Sequence, residues 1–291
     1  MRSDDWHLSE DLDGFLDSTG DFLRSRAALH TTQLTVLEKW RKEGPGGDGS
    51  WSALFGRLEG AGEGEVHGAF YRHPRTGGLT LTALSTEQTD TLAARLAGLG
   101  HAFTTVLSDE DTADAFAAAW QRHTGVSSTR DWGARLHRLG ALTPPEPRPE
   151  GRGRLVGEPD REQLVGWCAE FCDTVGEVPS PTPATWHTSR FADRHFTFWE
   201  TPDGTPVSMA ARTSVVGGMV RVDPVYTPAH LRARGYAGAV TVAVTRAALE
   251  AGAKDVVLFT DPANATSNAL YRRIGYVPIG EFKRYRFSDT P

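Results

Sequence analysis

Four consecutive apolar residues, Val256-Val257-Leu258-Phe259, constrain the fold more than any other stretch of the chain. A strand with no polar side chain on either face belongs in the middle of a sheet covered on both sides. Helical patterns flank it, a long Ala/Val-rich one over 235–251 and a shorter one over 264–274. Upstream, 219–226 reads as a strand, and 195–200 with 205–212 as a hairpin closed by Pro202-Asp203-Gly204, a strong turn signal. A helix over 160–172 carries Leu164, Trp167, Cys168 and Phe171 on one side. The remaining elements are a short strand at 153–156, a helix at 184–192 and a last strand at 282–287. This order predicts an α/β fold, a mixed sheet with helices on its faces.

A chain of 291 residues has room for two domains. The sharpest break is Thr143-Pro-Pro-Glu-Pro-Arg-Pro-Glu-Gly151, where four prolines in six residues exclude helix and central strand. It divides the chain into 1–142, a linker at 143–151, and 152–291. The first part reads as two helices before residue 41, a loop at 44–50, and strands at 65–71 and 79–84 around a glycine turn. A helix at 86–99, a strand at 102–107, a helix at 109–123 and a strand at 132–139 complete it. All the excess acid behind the net charge of -6 lies there: 22 acidic and 15 basic residues through 150, against 15 and 16 beyond. Neither part has the basic stripe that DNA or other long nucleic acid requires. No run approaches the ~18 apolar residues of a membrane span. The N-terminus, which continues as an acidic helical pattern, lacks a signal-peptide run, so the expectation is a cytoplasmic protein without membrane contact. Cys168 and Cys172 make no disulfide framework and, without matching His or Cys, no zinc site. Both are expected in the core, and no metal is expected.

The residues that carry chemistry fall between 222 and 276. Val225-Tyr-Thr-Pro-Ala-His-Leu-Arg-Ala-Arg-Gly-Tyr-Ala-Gly238 joins a strand to the long helix. Gly235, Ala237 and Gly238 let backbone approach a ligand, and the helix start presents unsatisfied N–H groups to a pyrophosphate. Arg232 and Arg234 add positive charge. Taken alone, the segment is equally an ordinary strand–loop–helix with a glycine turn. After the buried strand comes Asn264-Ala-Thr-Ser-Asn-Ala-Leu-Tyr-Arg-Arg-Ile-Gly-Tyr276, with Asn264 as helix N-cap and Gly275 as helix stop. Tyr271 follows Asn264 by about two helical turns, which puts both on one face. Its hydroxyl can donate a proton there, and a core tyrosine would have the same spacing.

Together, V-x-x-P…R-x-x-G-x-A opening a helix, a buried strand, and then N-x-x-S-x-x-L-Y-x-x-x-G-Y resemble motifs A and B of the GNAT superfamily of acyl-CoA N-acyltransferases. The resemblance covers roughly 152–288, with a longer loop between Val225 and Gly235 than the commonest form. The first part resembles a degenerate copy of the same fold by element order alone. The expectation is therefore two tandem GNAT-like domains, with 152–291 catalytic and 1–142 degenerate or accessory.

The resemblance implies acetyl-CoA as co-substrate. Val225, Tyr226 and Thr227 would lie along the pantetheine arm, and Asn264 with Ser267 would hydrogen-bond it. Backbone amides of Arg232, Ala233, Arg234, Gly235, Tyr236 and Ala237 would hold the pyrophosphate. Tyr271 would act as general acid toward the leaving thiolate. The implied reaction is direct attack on the thioester by a primary amine of a small-molecule acceptor. Glu200 and Asp223 are the candidate bases, each equally readable as a solvent-facing strand residue; His187 and His195 are further candidates. Rival readings are a different activated donor, either a longer acyl-CoA or an aminoacyl-tRNA, and a non-catalytic acyl-CoA-binding module. The missing basic surface disfavours tRNA, and Tyr271 disfavours pure binding.

Overall fold

The computed structural model describes residues 5–44, 52–60, 62, 64–177 and 180–288. Beyond Gly44, the loop expected at 44–50 lies outside the described residues. The chain forms two compact units, residues 1–136 with 279–291, and residues 137–278.

Unit 1 runs β1 (Asp5–Ser9), α1 (Leu12–Ser25), α2 (Thr31–Glu43), β2 (Leu54–Glu59), β3 (Val66–Arg72), β4 (Leu79–Leu81), α3 (Thr86–Gly98), β5 (Thr105–Asp109) and α4 (Glu110–Thr124). The strand β6 (Ser128–Leu139) then leads into unit 2. Strands β1 to β4 form an antiparallel ladder, and β4 pairs parallel with β5. Helix starts follow local chemistry: Asp11 caps α1, Ser85 and Gln88 form a reciprocal capping box on α3, and Asp109 caps α4. Trp6, Leu58, Phe70, Leu92, Phe116 and Trp120 meet in one apolar core.

Unit 2 repeats this order with β7 (Arg152–Leu155), α5 (Arg161–Val175), β8 (His195–Glu200), β9 (Pro206–Arg212) and β10 (Met219–Tyr226). It continues with α6 (Tyr236–Glu250), β11 (Asp255–Thr260), α7 (Ala265–Arg273) and β12 (Tyr276–Phe287), whose later part belongs to unit 1. Strands β7 to β10 are antiparallel neighbours, and β10 pairs parallel with β11. Alternation along the strands feeds two cores. Trp199, Val207, Ala210, Val220 and Val222 pack with α6, and Phe198, Met209, Ala211 and Tyr226 with α5. Cys168 and Cys172 are free thiols in the second of these cores, as their apolar neighbours in sequence suggest.

Three features differ from the expectation. The proline-rich segment is no connector between the units, because the division falls at 136/137 and 143–151 packs inside unit 2. There Thr143 N–H donates to Ile274 O and Trp199 Nε1–H donates to Glu150 O, both at 3.1 Å, and the Arg148 guanidinium lies 5.5 Å over the Trp199 ring. Prolines cannot donate hydrogen bonds to a ladder, but their rings still pack. Residues 184–192 hold only the short 3₁₀ turn Trp186–Thr188, since Thr182 and Thr185 exchange side-chain bonds with each other's backbone N–H and so end regular structure locally. The N-terminal segment read as helical begins with the strand β1, paired along its length with β2.

Among the described residues no helix is long and apolar enough to cross a membrane. No group of three or more His, Cys, Asp or Glu among them is placed to hold a metal ion.

Candidate active site

β10 and β11 are parallel neighbours only from Met219/Asp255 to Arg221/Val257. Beyond that the pairing stops, and on the other edge the register of β10 with β9 slips between Val222 and Val225. The slip contains Pro224, which has no N–H to give a ladder. The strands part around a cleft of about 580 Å³. Val222, Asp223, Val225 and Tyr226 line it from β10, Leu258 to Thr260 from β11, Leu270 and Tyr271 from α7, and Phe171 and Val175 from α5.

The loop between β10 and α6 forms one end of this cleft. Ala233 and Gly235 both adopt positive φ, +62° and +81°. Gly235 does so without steric cost; Ala233 does not, and a strained non-glycine position of this kind marks functional loops. The first α6 amide to bond back is that of Ala239, to Gly235 O at 3.1 Å. The N–H groups of Ala233, Arg234, Gly235, Tyr236, Ala237 and Gly238 have no partner among the described residues. Six consecutive free donors at a helix N-terminus, where the helix dipole is positive, make an anion cradle. Arg232 Nε donates to Thr227 O at 3.0 Å and so ties the loop back to its own start. Thr227 Oγ1 is in turn 2.8 Å from Ser208 Oγ.

On the opposite wall, Asn264 Oδ1 accepts from Ser267 N–H at 3.0 Å, and both residues line the cleft. The turn before α7 is held by Asn268, whose amide donates to Asp261 O and Asn264 O at 2.8 and 2.7 Å. Its Oδ1 accepts from Thr260 Oγ1 at 2.9 Å, with His137 Nε2 within 3.3 Å. Sequence reasoning passed over Asn268; a short amide inside a helix, where it competes for backbone groups, was the available signal.

Tyr271 lines the cleft at 8% exposure, its ring edge-on to Tyr276 at 6.1 Å. Its hydroxyl has no protein partner among the described residues. Burial, with Tyr276 and Asp223 nearby, pushes its pKa above the ordinary tyrosine range, so the hydroxyl is a proton donor at neutral pH. Burial and a 2.5 Å bond from the Tyr226 hydroxyl to Glu170 push the Tyr226 pKa up to about 12.

Of the two carboxylates singled out in sequence, the cleft wall includes Asp223 and not Glu200. Glu200 is buried at the end of β8, where its carboxylate accepts from Arg154 Nε at 2.6 Å. Asp160 holds the same guanidinium at 2.7 and 2.9 Å. Asp223 pairs with Arg190, and with Arg194 at 3.9 Å. Burial alone would raise its pKa, but the charges of Arg190, Arg194 and Arg221 prevail and hold it at about 2. Such a carboxylate is a weak proton acceptor at neutral pH. Arg190 also pairs with Glu177 and lies 4.2 Å over the Phe191 ring. His187 and His195 are exposed and do not line the cleft.

The FR47-like protein family matches residues 212–287, the segment that contains the cradle, Asn264 and Tyr271. No curated protein matches the chain in sequence. Solved structures share the fold over the whole length. A Drosophila protein is 14% identical, with a TM-score of 0.63 over 98% of this chain and 99% of that one. A GCN5-related N-acetyltransferase from Sphaerobacter thermophilus is 18% identical, with a TM-score of 0.60 over 98% and 96%. A tandem GNAT protein from the clavulanic acid biosynthesis pathway is 13% identical, with a TM-score of 0.57 over 99% of each chain. The C-terminal half thus carries a match to the FR47-like family, and the chain as a whole has the fold of these tandem GNAT structures, two GNAT-like units in one chain.

Proposed function

We propose that unit 2 transfers an acyl group, acetyl in the simplest case, from acyl-CoA to a primary amine of a small-molecule acceptor. The observation that carries this reading is the junction of the parted β10/β11 pair with six free backbone N–H groups at the start of α6. A pyrophosphate fits those donors, and a pantetheine arm, itself a chain of amides, fits between two strands that part beyond Arg221/Val257. Asn264 and Ser267 border the same path, and Tyr271 stands beside it.

In this reading the neutral amine attacks the thioester carbonyl carbon, and N–H groups of β10 freed beyond Arg221 stabilise the oxyanion. The C–S bond then breaks, the Tyr271 hydroxyl gives its proton to the departing thiolate, and the proton shed by the attacking nitrogen returns to the Tyr271 oxygen through water. No covalent enzyme intermediate is required, since holding both reactants in one cleft supplies the main advantage. With Asp223 fixed as a carboxylate and Glu200 outside the cleft, the ammonium proton leaves through water.

Thiol release from acetyl-CoA in the presence of a panel of small primary amines tests the reading. Amine-dependent release, with the acetylated amine as product, is expected. CoA binding without release for any amine would leave a binding module, and release only from longer acyl donors would change the donor.

A further inference from the structure

Unit 1 holds a second cavity of about 330 Å³ that the proposed reaction does not use. It lies where β4 and β5 part: their parallel pairing ends at Thr80/Leu107, with Leu81 to Ala83 on one wall and Ser108 and Asp109 on the other. This is the place in the fold that the acyl-transfer cleft occupies in unit 2. Here the neighbouring helix start is closed to a pyrophosphate. Ser85 Oγ accepts from Gln88 N–H at 3.2 Å, Gln88 Oε1 accepts from Ser85 N–H at 3.0 Å, and Glu87 adds negative charge.

What remains of the site is a wall of acceptors. His30 and Gln33, one helical turn apart at the start of α2, both line the cavity. His30 Nδ1 lies 3.0 Å from Leu23 O, so that nitrogen carries the hydrogen. Burial holds the ring below the ordinary histidine pKa, which leaves Nε2 as an acceptor with no partner among the described residues. Gln33 is 3% exposed and donates Nε2–H to Leu81 O at 2.8 Å, which fixes the amide's orientation; its Oε1 has no hydrogen-bond partner among the described residues. Carboxylates complete the wall. Asp109 caps α4, Glu110 is 2.7 Å from Lys283, and Glu281 is 2.5 Å from Arg135. Asp111 has no partner among the described residues, and Arg26 is the one cation on the described wall.

Native proteins rarely leave a buried acceptor without a donor. Gln33 Oε1 is such an acceptor, and beside the His30 ring and an unmatched carboxylate it calls for a ligand that brings both hydrogens and positive charge. We propose that this cavity binds a small organic cation, a primary ammonium compound, at a site that takes no CoA and is separate from the acyl-transfer cleft.

Calorimetric titration of the full chain with 1,4-diaminobutane, and with uncharged 1,4-butanediol as the isostere, tests this. One diamine per chain is expected at this site, with the diol not binding. Gln33→Leu should weaken the diamine on the order of tenfold, the usual worth of a lost buried partner. Asp111→Asn, a change to an exposed side chain that the fold tolerates even if Gln33→Leu does not, should weaken it by at least about threefold. Asp223→Asn, in the other cleft, should leave this binding in place. The absence of diamine binding at about 10 mM, equal binding of the diol, or binding that responds to Asp223→Asn and not to Asp111→Asn overturns the proposal.

Discussion

At the scale of single residues, Tyr271 and Asp223, which line one cleft beside β10, are both held in one protonation state. Tyr271 keeps its proton because burial disfavours the phenolate, and Tyr271→Phe removes the hydroxyl while preserving the ring against Tyr276. Turnover should fall by ~10²–10⁴ with little change in acyl-CoA affinity, because the proton matters only as charge develops on sulfur. Steady-state kinetics within about threefold of wild type would leave another group as the acid. Asp223 is held the other way. Its folded pKa of about 2 lies below the ordinary value of 3.8, so the ionised form stabilises the fold above that ordinary value. That contribution is lost as pH falls through 2. Asp223→Asn should therefore cost about 2 kcal/mol in urea unfolding at pH 7. The gap should narrow by pH 3, whereas a constant gap would assign the loss to packing.

At the scale of elements, the decisive piece is the start of α6. A side chain at Gly235 would meet the Pro149 ring at an ordinary 3.6 Å, so space is no obstacle, and φ of +81° is a conformation that Asn and Asp tolerate better than other residues. Gly235→Asn and Gly235→Asp are matched in shape and differ in charge. Saturating CoA at about one hundred times Kd should stabilise the wild type by ~2.7 kcal/mol. Thermal unfolding should show part of this shift kept in Gly235→Asn and all of it lost in Gly235→Asp; equal shifts would move the pyrophosphate elsewhere. This element was legible in sequence, as were the Asn264 cap and the Asp203-Gly204 hairpin, because each depends on a few adjacent residues. What was not legible depends on distant partners. Nothing local tells that Glu200 meets Arg154 or that Asp223 meets Arg190, since alternation along a strand says which residues share a face and not what stands opposite. Ala233 hid a left-handed position behind a residue that seldom adopts one, and β1 is too short for its alternation to outweigh the helical pattern that follows.

For the whole molecule, two units of one fold have separated in chemistry at their helix starts. Unit 2 leaves six donors open, and unit 1 fills its own with Ser85 and Gln88. Calorimetry should accordingly give one CoA per chain, and Gly235→Asp should abolish it; a second equivalent, or residual tight binding in that variant, would place CoA in unit 1. The path of β12 has a separate consequence. Its residues Phe282 to Arg286 pair with β5, and Lys283 and Tyr285 both bond Asp114 of α4, at 2.7 and 2.8 Å. Chains leaving the ribosome usually complete their N-terminal domain first. Here unit 1 lacks the strand beside β5 until residues beyond 278 have been made. A stop codon after residue 278 should thus injure the half of the protein furthest from it in the gene. Limited proteolysis of that truncated chain is expected to cut first around α3 and α4, leaving α6 protected.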